Sequence, residues 1–170
     1  MEKNLKIKQK CKNIKLLLTD VDGVLTDGGR YYSKEGEVLK KFHVVDGMGV
    51  NILLRNNIKT IILTKEKSMI TKKWAKDMNI SQVYGGFVKK EQALTQICKK
   101  YKISLKEIAF IGDDVNDLEV LKKVGFSAVP NDAVIQVKKI ADYRCKASGG
   151  KGCFREIADL ILLSKFSYKT

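Results

Sequence analysis

The residues with the clearest chemical potential are two aspartates, Asp20 and Asp22, which follow the apolar run of residues 14–19. An apolar run of this length is typical of a buried strand, and alternate residues of a strand point the same way. Two carboxylates at the mouth of one strand can therefore face one crevice, where they need a cation or a shared proton. The pattern predicts a site for phosphate chemistry with a metal.

The segment Asp-Val-Asp-Gly-Val also has two other interpretations. A calcium loop of the form Asp-x-Asp-x-Asp-Gly is excluded because Val24 occupies the place of the third oxygen ligand and no glutamate closes the loop. An ordinary turn accounts for Gly23, since Asp and Gly favour turns, but not for the apolar strand before it.

A second acidic motif, Gly-Asp-Asp-Val-Asn-Asp, occupies residues 112–117 after another apolar run. Its hard carboxylate oxygens suit Mg²⁺. We expect Asp113 to bind the metal together with Asp20 and the main-chain carbonyl of Asp22. Asp114 and Asp117 are expected to bind water or to orient a lysine.

Each of four side chains can then take a different task in cleaving a phosphate ester. Asp20 would attack phosphorus and form an aspartyl-phosphate. Asp22 would donate a proton to the leaving oxygen and later take one from water. Thr64 could hold a phosphate oxygen and Lys90 could supply positive charge. A threonine at a strand end or a lysine on a helix is usually structural or solvated, so the weight lies in their order along the chain.

Alternating apolar runs and amphipathic segments predict the elements that position these residues. Strands are predicted at residues 14–19, 60–63 and 108–111. Helices are predicted at residues 45–57, 67–78, 90–101, 116–124, 133–139 and 154–163. This alternation indicates an α/β fold, a Rossmann-like three-layer parallel sheet with helices on both faces. Ligands bind at the carboxyl ends of such strands, where Asp20, Thr64 and Asp113 stand.

Residues 28–42 are predicted to form a small β-hairpin that turns near Glu35 and Gly36. The segment is too short for a cap domain, so residues 1–170 are expected to form a single domain. Any cover over the site would then come from elsewhere, such as another subunit.

Composition narrows the class of protein. Of the 170 residues, 44% are hydrophobic, as in a globular domain. Four cysteines with a single histidine and no Cys-x-x-Cys pair make zinc sites and disulfides improbable. The N-terminal apolar segment is too short for a secretion signal or a membrane span, which favours the cytoplasm and no membrane partner.

The net charge of +14 could attract nucleic acid, an anionic membrane or acidic small molecules. The lysines are scattered along the whole chain, and aromatic residues are not interleaved with them as a base-stacking surface requires. A solvated, lysine-rich exterior is the favoured explanation, and no nucleic-acid partner is expected.

The ordered motifs, Asp-x-Asp-Gly-Val, Leu-Thr, Lys and Gly-Asp-Asp-x-x-Asp, resemble the haloacid dehalogenase superfamily across residues 14 to about 130. With an acid at position 22, the motif resembles that of the phosphatases of this superfamily rather than that of its dehalogenases. Val-Asp-Gly-Met-Gly at residues 45–49 and the segment 149–156 extend the resemblance to the capless subgroup that acts on 2-keto-3-deoxy sugar acid phosphates. The resemblance implies a Mg²⁺-dependent homotetramer of sugar acid and lipopolysaccharide biosynthesis, with the hairpin of one subunit and the tail of another completing the pocket.

The chain departs from this family after Thr64, where glycine and, in the octulosonate phosphatases, arginine are common; here Lys65 and Glu66 follow. Glu66 resembles the acid of relatives that act on nine-carbon sugar acids. The substrate is therefore 3-deoxy-manno-octulosonate 8-phosphate or a nine-carbon 9-phosphate such as that of deaminoneuraminate. Arg155, a second candidate for substrate specificity, is implied to lie near a subunit interface, or else is a surface cation beside a Gly-rich turn.

One interpretation from a different class stays open at this point. A basic nucleic-acid-binding or assembly module with a vestigial metal site would also explain the net charge and Lys65. It would show salt-sensitive binding to nucleic acid and no turnover of sugar phosphates.

Overall fold

A parallel sheet of six strands forms the centre of the protein. The computed structural model describes residues 2–166. Within these residues the strands are β1 (Leu16–Thr19), β2 (Tyr31–Ser33), β3 (Gly36–Leu39), β4 (Lys59–Thr64), β5 (Gln82–Gly85), β6 (Ile108–Ile111), β7 (Phe126–Val129) and β8 (Tyr143–Arg144). The order in the sheet is β5-β4-β1-β6-β7-β8, with every neighbouring pair parallel.

Helices cover both faces of this sheet. They are α1 (Glu2–Lys12), α2 (Val44–Arg55), α3 (Met69–Asp77), α4 (Ala93–Tyr101), α5 (Leu118–Lys123), α6 (Ile135–Lys138) and α7 (Cys153–Lys165). Leu17 points into a core shared with α1, α2, α3 and α7, while Leu16 and Leu18 point into a core shared with α4, α5 and α6. Successive strand residues face opposite sides, so one short strand serves both cores. The predicted three-layer α/β fold is confirmed.

Some elements were missed by sequence patterns. Helix α1 is rich in lysine, and among its side chains that the structure describes, Ile7 and Cys11 enter the core. Strands β5, β7 and β8 have polar residues between or beside their apolar ones, so they lack the three consecutive apolar residues that mark β1 and β4. The predicted helix 116–124 begins instead as a 3₁₀ turn at Val115–Asp117, followed by α5.

Strands β2 and β3 form the predicted hairpin outside the main sheet. Ser33 pairs with Gly36, so Lys34 and Glu35 make the turn, and a bridge between Thr26 and Phe42 closes its base. Between residues 2 and 166 the chain has no separate cap domain. Within the same range, none of the helices has both the length and the apolar character needed to cross a membrane.

The topology brings three acidic or hydroxyl-bearing strand ends together. Strand β1 lies between β4 and β6, and the chain winds outward from it in both directions. An open parallel sheet has a crevice at such a point, beside the carboxyl ends of the strands. Thr64 ends β4, whereas Asp20 and Asp113 follow β1 and β6 closely.

Candidate active site

The crevice beside β1, β4 and β6 is a cleft of about 400 Å³. The residues predicted from the sequence that line it are Asp20, Asp22, Thr64, Glu66, Asp113 and Asp114. Other lining residues include Gly23, Arg30, Lys65 and Asn116. Lys90 and Asp117 lie beneath this surface, where both are fully buried.

A turn, rather than strand alternation, places the first two aspartates. Strand β1 ends at Thr19. The backbone N–H groups of Val24 and Leu25 both donate to the carbonyl of Val21, so the chain bends as soon as it leaves the sheet. The expectation that alternation along a strand aims the two carboxylates is therefore wrong. Both still line the cleft, but each has its own surroundings.

Asp20 is buried and tightly held. Its Oδ1 accepts a hydrogen bond from the backbone N–H of Val21 at 2.7 Å, and its Oδ2 lies 2.6 Å from the Nζ of Lys90. Burial raises the pKa of Asp20 to about 6, against the opposing effect of Lys90 and with a smaller contribution from the Asp117 carboxylate. At neutral pH the side chain is thus an ionised carboxylate at the floor of the cleft.

Lys90 begins a 3₁₀ turn before α4, and its ammonium lies between two carboxylates. Besides Asp20, it contacts Oδ1 of Asp117 at 2.7 Å. Oδ2 of Asp117 accepts the backbone N–H groups of Asp113 and Asp114 at 2.9 and 3.3 Å. Burial opposes the charged form of Lys90, but the two carboxylates outweigh it and raise its pKa. Asp117 therefore orients this lysine and shapes the loop after β6.

Asp113 completes a cluster of three carboxylates with Asp20 and Asp117, whose oxygens lie within 4.8 Å of one another. Burial, followed by the charges of Asp20 and Asp117, raises the pKa of Asp113 to about 8. The loop around it needs Gly23, which has a φ of +83° and whose replacement would place a Cβ 2.0 Å from Oδ2 of Asp113. Only glycine lets the two segments approach so closely.

The donor set of this cluster fits a divalent cation. Asp117 is fully buried and its oxygens are held by Lys90 and two backbone N–H groups, whereas Asp20 and Asp113 line the cleft, so these two can present oxygens to an ion there. Three carboxylates facing one ammonium leave an excess of negative charge that a divalent cation would balance. Hard carboxylate oxygens are the ligands that Mg²⁺ prefers.

The carboxylate of Asp22 faces the hairpin. Its Oδ1 lies 2.5 Å from Nζ of Lys40 and its Oδ2 lies 3.3 Å from Nη2 of Arg30. Neither cation was predicted from the sequence. Arg30 carries no motif of its own, and Lys40 is followed by Lys41 in a chain full of lysines, so no local signal distinguishes it.

Thr64 and the two residues after it form another wall of the cleft. The Oγ1 of Thr64, which is buried, accepts the backbone N–H of Glu66 at 3.3 Å. Glu66 in turn lies 3.4 Å from Nη2 of Arg30. Glu66 thus has a guanidinium beside it, which the residue before β2 supplies.

Arg155, a predicted specificity residue, does not line this cleft. It lies on α7, where its Nε donates to Asp159 and its backbone N–H donates to buried Asp46. Asp46 also accepts the N–H of Gly152, so it ties α2 to the beginning of α7. This contact gives the outer motifs 45–49 and 149–156 a structural role.

Comparison with known proteins agrees with this geometry. The model of the haloacid dehalogenase-like hydrolase family matches residues 54–157. A curated relative, the 3-deoxy-D-manno-octulosonate 8-phosphate phosphatase of Haemophilus influenzae, is 40% identical over 156 residues, which are 92% of this chain and 87% of the relative.

Solved structures of similar proteins share the fold. The cobalt-bound phosphatase of Haemophilus influenzae superposes with a TM-score of 0.90 at 39% identity, over 92% of each chain. The Moraxella catarrhalis 3-deoxy-D-manno-octulosonate 8-phosphate phosphatase, solved in complex with magnesium, phosphate and KDO, has a TM-score of 0.91 at 38% identity, over 94% of this chain and 92% of that one.

Proposed function

The chain belongs to the haloacid dehalogenase-like hydrolase family and is a phosphatase, and from this premise we propose that it hydrolyses the terminal phosphate of a 2-keto-3-deoxy sugar acid, 3-deoxy-manno-octulosonate 8-phosphate. The observation that carries the proposal is the cluster of Asp20, half-buried Asp113, and buried Asp117 and Lys90 at the floor of the cleft. The cluster suits the chemistry of a phosphoryl group, whereas a binding module without enzymatic activity would not require such a cluster.

The reaction would proceed in two displacements. A carboxylate oxygen of Asp20 attacks phosphorus, and the bond from phosphorus to the sugar oxygen breaks. Asp22 gives the departing oxygen its proton, so the sugar leaves as an alcohol. Asp22 then takes a proton from water as the water oxygen attacks the aspartyl-phosphate. This step releases phosphate and restores Asp20.

The other residues would bind and neutralise the phosphoryl group. Lys90 offsets the charge of Asp20 and Asp117, and the hydroxyl of Thr64 with nearby N–H groups binds a phosphate oxygen. A Mg²⁺ ion held by Asp20, Asp113 and the main-chain carbonyl of Asp22 would supply further positive charge to the phosphate oxygens.

Recognition of the sugar acid would fall to the outer part of the cleft. Arg30 and Lys65 line it with positive charge, which favours a substrate with a carboxylate as well as a phosphate. Glu66 beside Arg30 is suited to accept hydrogen bonds from sugar hydroxyls. We further propose a cytoplasmic homotetramer, in which the exposed apolar side chains of the hairpin and the α7 region near Arg155 meet other subunits.

Release of inorganic phosphate tests this function. With Mg²⁺ present, the purified protein should hydrolyse 3-deoxy-manno-octulosonate 8-phosphate at a higher kcat/KM than neutral sugar phosphates such as glucose 6-phosphate. A nine-carbon 9-phosphate tests the interpretation of Glu66. Equal activity on every phosphomonoester would contradict the assignment of a sugar acid, and preference for the nine-carbon substrate would correct its length.

The response of thermal stability to Mg²⁺ should depend on pH. The folded-state pKa values of Asp113 and Asp20, about 8 and about 6, both exceed the usual value for aspartate. The metal-free folded state therefore holds more protons than the unfolded chain, and these groups make it lose stability as pH rises from about 4 to 8. Mg²⁺ binds the ionised carboxylates, so its stabilising effect is largest at the upper end of that window.

We expect saturating MgCl₂ to raise the melting temperature by roughly 5–10 °C at pH 8 and by much less at pH 5. Differential scanning fluorimetry at both pH values measures the shift. Asp113→Asn should respond little to MgCl₂ at either pH, whereas Asp77→Asn, on the outer end of α3, should behave like the wild type. An equal shift at both pH values would contradict the carboxylate site.

A further inference from the structure

Lys40 is a second buried cation near the cleft, separate from the cluster around Lys90. Its side chain has no exposed area. The Nζ lies 2.5 Å from Oδ1 of Asp22 and 2.9 Å from Oε1 of Glu37. Arg30 also contacts Asp22 and, on its other side, Glu66.

The burial of this ammonium calls for an explanation. Removing a charged amine from water costs several kcal/mol, and a well-packed apolar side chain often stabilises a protein as well as a buried ion pair does. Stability alone therefore gives little reason for a lysine here. An ammonium does what an apolar side chain cannot do, since it holds a carboxylate in one place by charge and hydrogen bond.

Lys40 connects Asp22 to two other parts of the protein. It follows β3 directly, at the end of the hairpin. Its second partner, Glu37 on β3, accepts a hydrogen bond from the hydroxyl of Ser68 at 2.9 Å. Ser68 caps the N-terminus of α3, the helix that follows Thr64 in the chain. The hairpin, the Asp22 loop and the segment after β4 are thus joined at one buried ammonium.

Arg30 is a looser partner for the same carboxylate. A single nitrogen, Nη2, contacts both Asp22 and Glu66, at 3.3 and 3.4 Å, and a third of its side chain is exposed. Lys40 makes the shorter contact from a buried position. It is therefore the residue whose geometry can define where Asp22 lies.

We propose that Lys40 is a positioning residue that holds the Asp22 carboxylate where the leaving oxygen departs. The inference rests on the proposed function, in which Asp22 gives that oxygen its proton. Proton transfer requires the donor to lie within hydrogen-bond reach of the acceptor, and a carboxylate free to rotate spends little time there. Through Lys40, the seating of the hairpin also determines how well Asp22 is placed.

The dependence of rate on the leaving group separates this role from a merely structural one. An alkyl phosphate such as octulosonate 8-phosphate needs a proton on its leaving oxygen, whereas p-nitrophenyl phosphate releases a stable phenolate without one. The ratio kcat/KM reports the first irreversible step, before water enters. We expect Lys40→Met to lower kcat/KM about 10- to 100-fold for the alkyl phosphate and less than about threefold for p-nitrophenyl phosphate.

Three variants complete the test. Lys41→Met, an exposed neighbour, should leave both values near the wild type. Lys40→Arg should restore most of the alkyl activity, because it returns a cation to the site. Lys40→Met combined with Asp22→Asn should be no slower than Asp22→Asn alone, since two residues acting on one proton do not add.

Equal losses on the two substrates, or additive losses in the double variant, would overturn the proposal. If circular dichroism shows that Lys40→Met does not fold, Glu37→Gln and Lys40→Arg replace it in the same comparison of kcat/KM for the two substrates. Glu37→Gln should lower kcat/KM for the alkyl phosphate selectively. If the wild type prefers another alkyl phosphate, the proposed substrate fails and the test proceeds with that compound. A wild type that cleaves only p-nitrophenyl phosphate would contradict both proposals.

Discussion

Replacing Asp20 by asparagine is expected to lower kcat for phosphate release at least about 10³-fold. The amide has the shape of the carboxylate and can still accept the N–H of Val21, but it cannot attack phosphorus or form an acyl phosphate. Release of inorganic phosphate from octulosonate 8-phosphate, in the presence of Mg²⁺, measures the loss.

The thermal stability of this variant should not fall with its activity. Asparagine removes one of three clustered carboxylates, so the metal-free protein at pH 8 should melt no lower than the wild type. Asp77→Asn is a matched control on the exposed side of the protein and should keep full activity. Phosphate release that survives Asp20→Asn would show that another group is the nucleophile.

Replacing Lys90 by methionine is expected to damage both folding and catalysis. Methionine fills a similar volume but leaves Asp20 and Asp117 without their ammonium in a buried site. Removing one partner of a buried ion pair costs about 3–5 kcal/mol in the free energy of unfolding. Loss of the cation beside the phosphoryl group should also lower kcat roughly 10²- to 10³-fold. Urea unfolding and phosphate release measure the two effects.

A second substitution separates the two effects of Lys90. In the Lys90→Met background, Asp117→Asn removes an unpaired buried charge, so it should recover part of the stability while activity stays low. Lys89→Met, at the exposed neighbouring position, should resemble the wild type in both measurements. Normal stability of Lys90→Met in metal-free buffer would contradict the described ion-pair network.

For Asp20 and Asp22, the predicted shared cleft is observed, but the strand geometry from which it was predicted is not. Their spacing predicts a shared crevice, and both do line one cleft. The cause is a turn in which backbone N–H groups donate to the carbonyl of Val21, because β1 ends at Thr19, before either aspartate. After the turn, Asp20 contacts Lys90 and Asp22 contacts Lys40. These different partners suit the different tasks proposed for the two aspartates.

The amino-acid sequence by itself determined the α/β class, the hairpin and the order of acidic motifs at strand ends. These features follow from periodicity and local composition, which act over a few residues. Short strands such as β8 stayed hidden because pairing with a neighbouring strand, rather than their own residues, forms them.

Only the tertiary structure decided which lysines matter. Lys40 and Lys41 are neighbours of identical chemistry, as are Lys89 and Lys90, yet one of each pair is buried against carboxylates and the other faces solvent. Asp22 lies 18 residues from Lys40 in the chain, and Asp117 lies 27 residues from Lys90. The environment of a charge depends on contacts between distant segments, so local sequence cannot specify it, and folding alone selects two cations from the many of this basic chain.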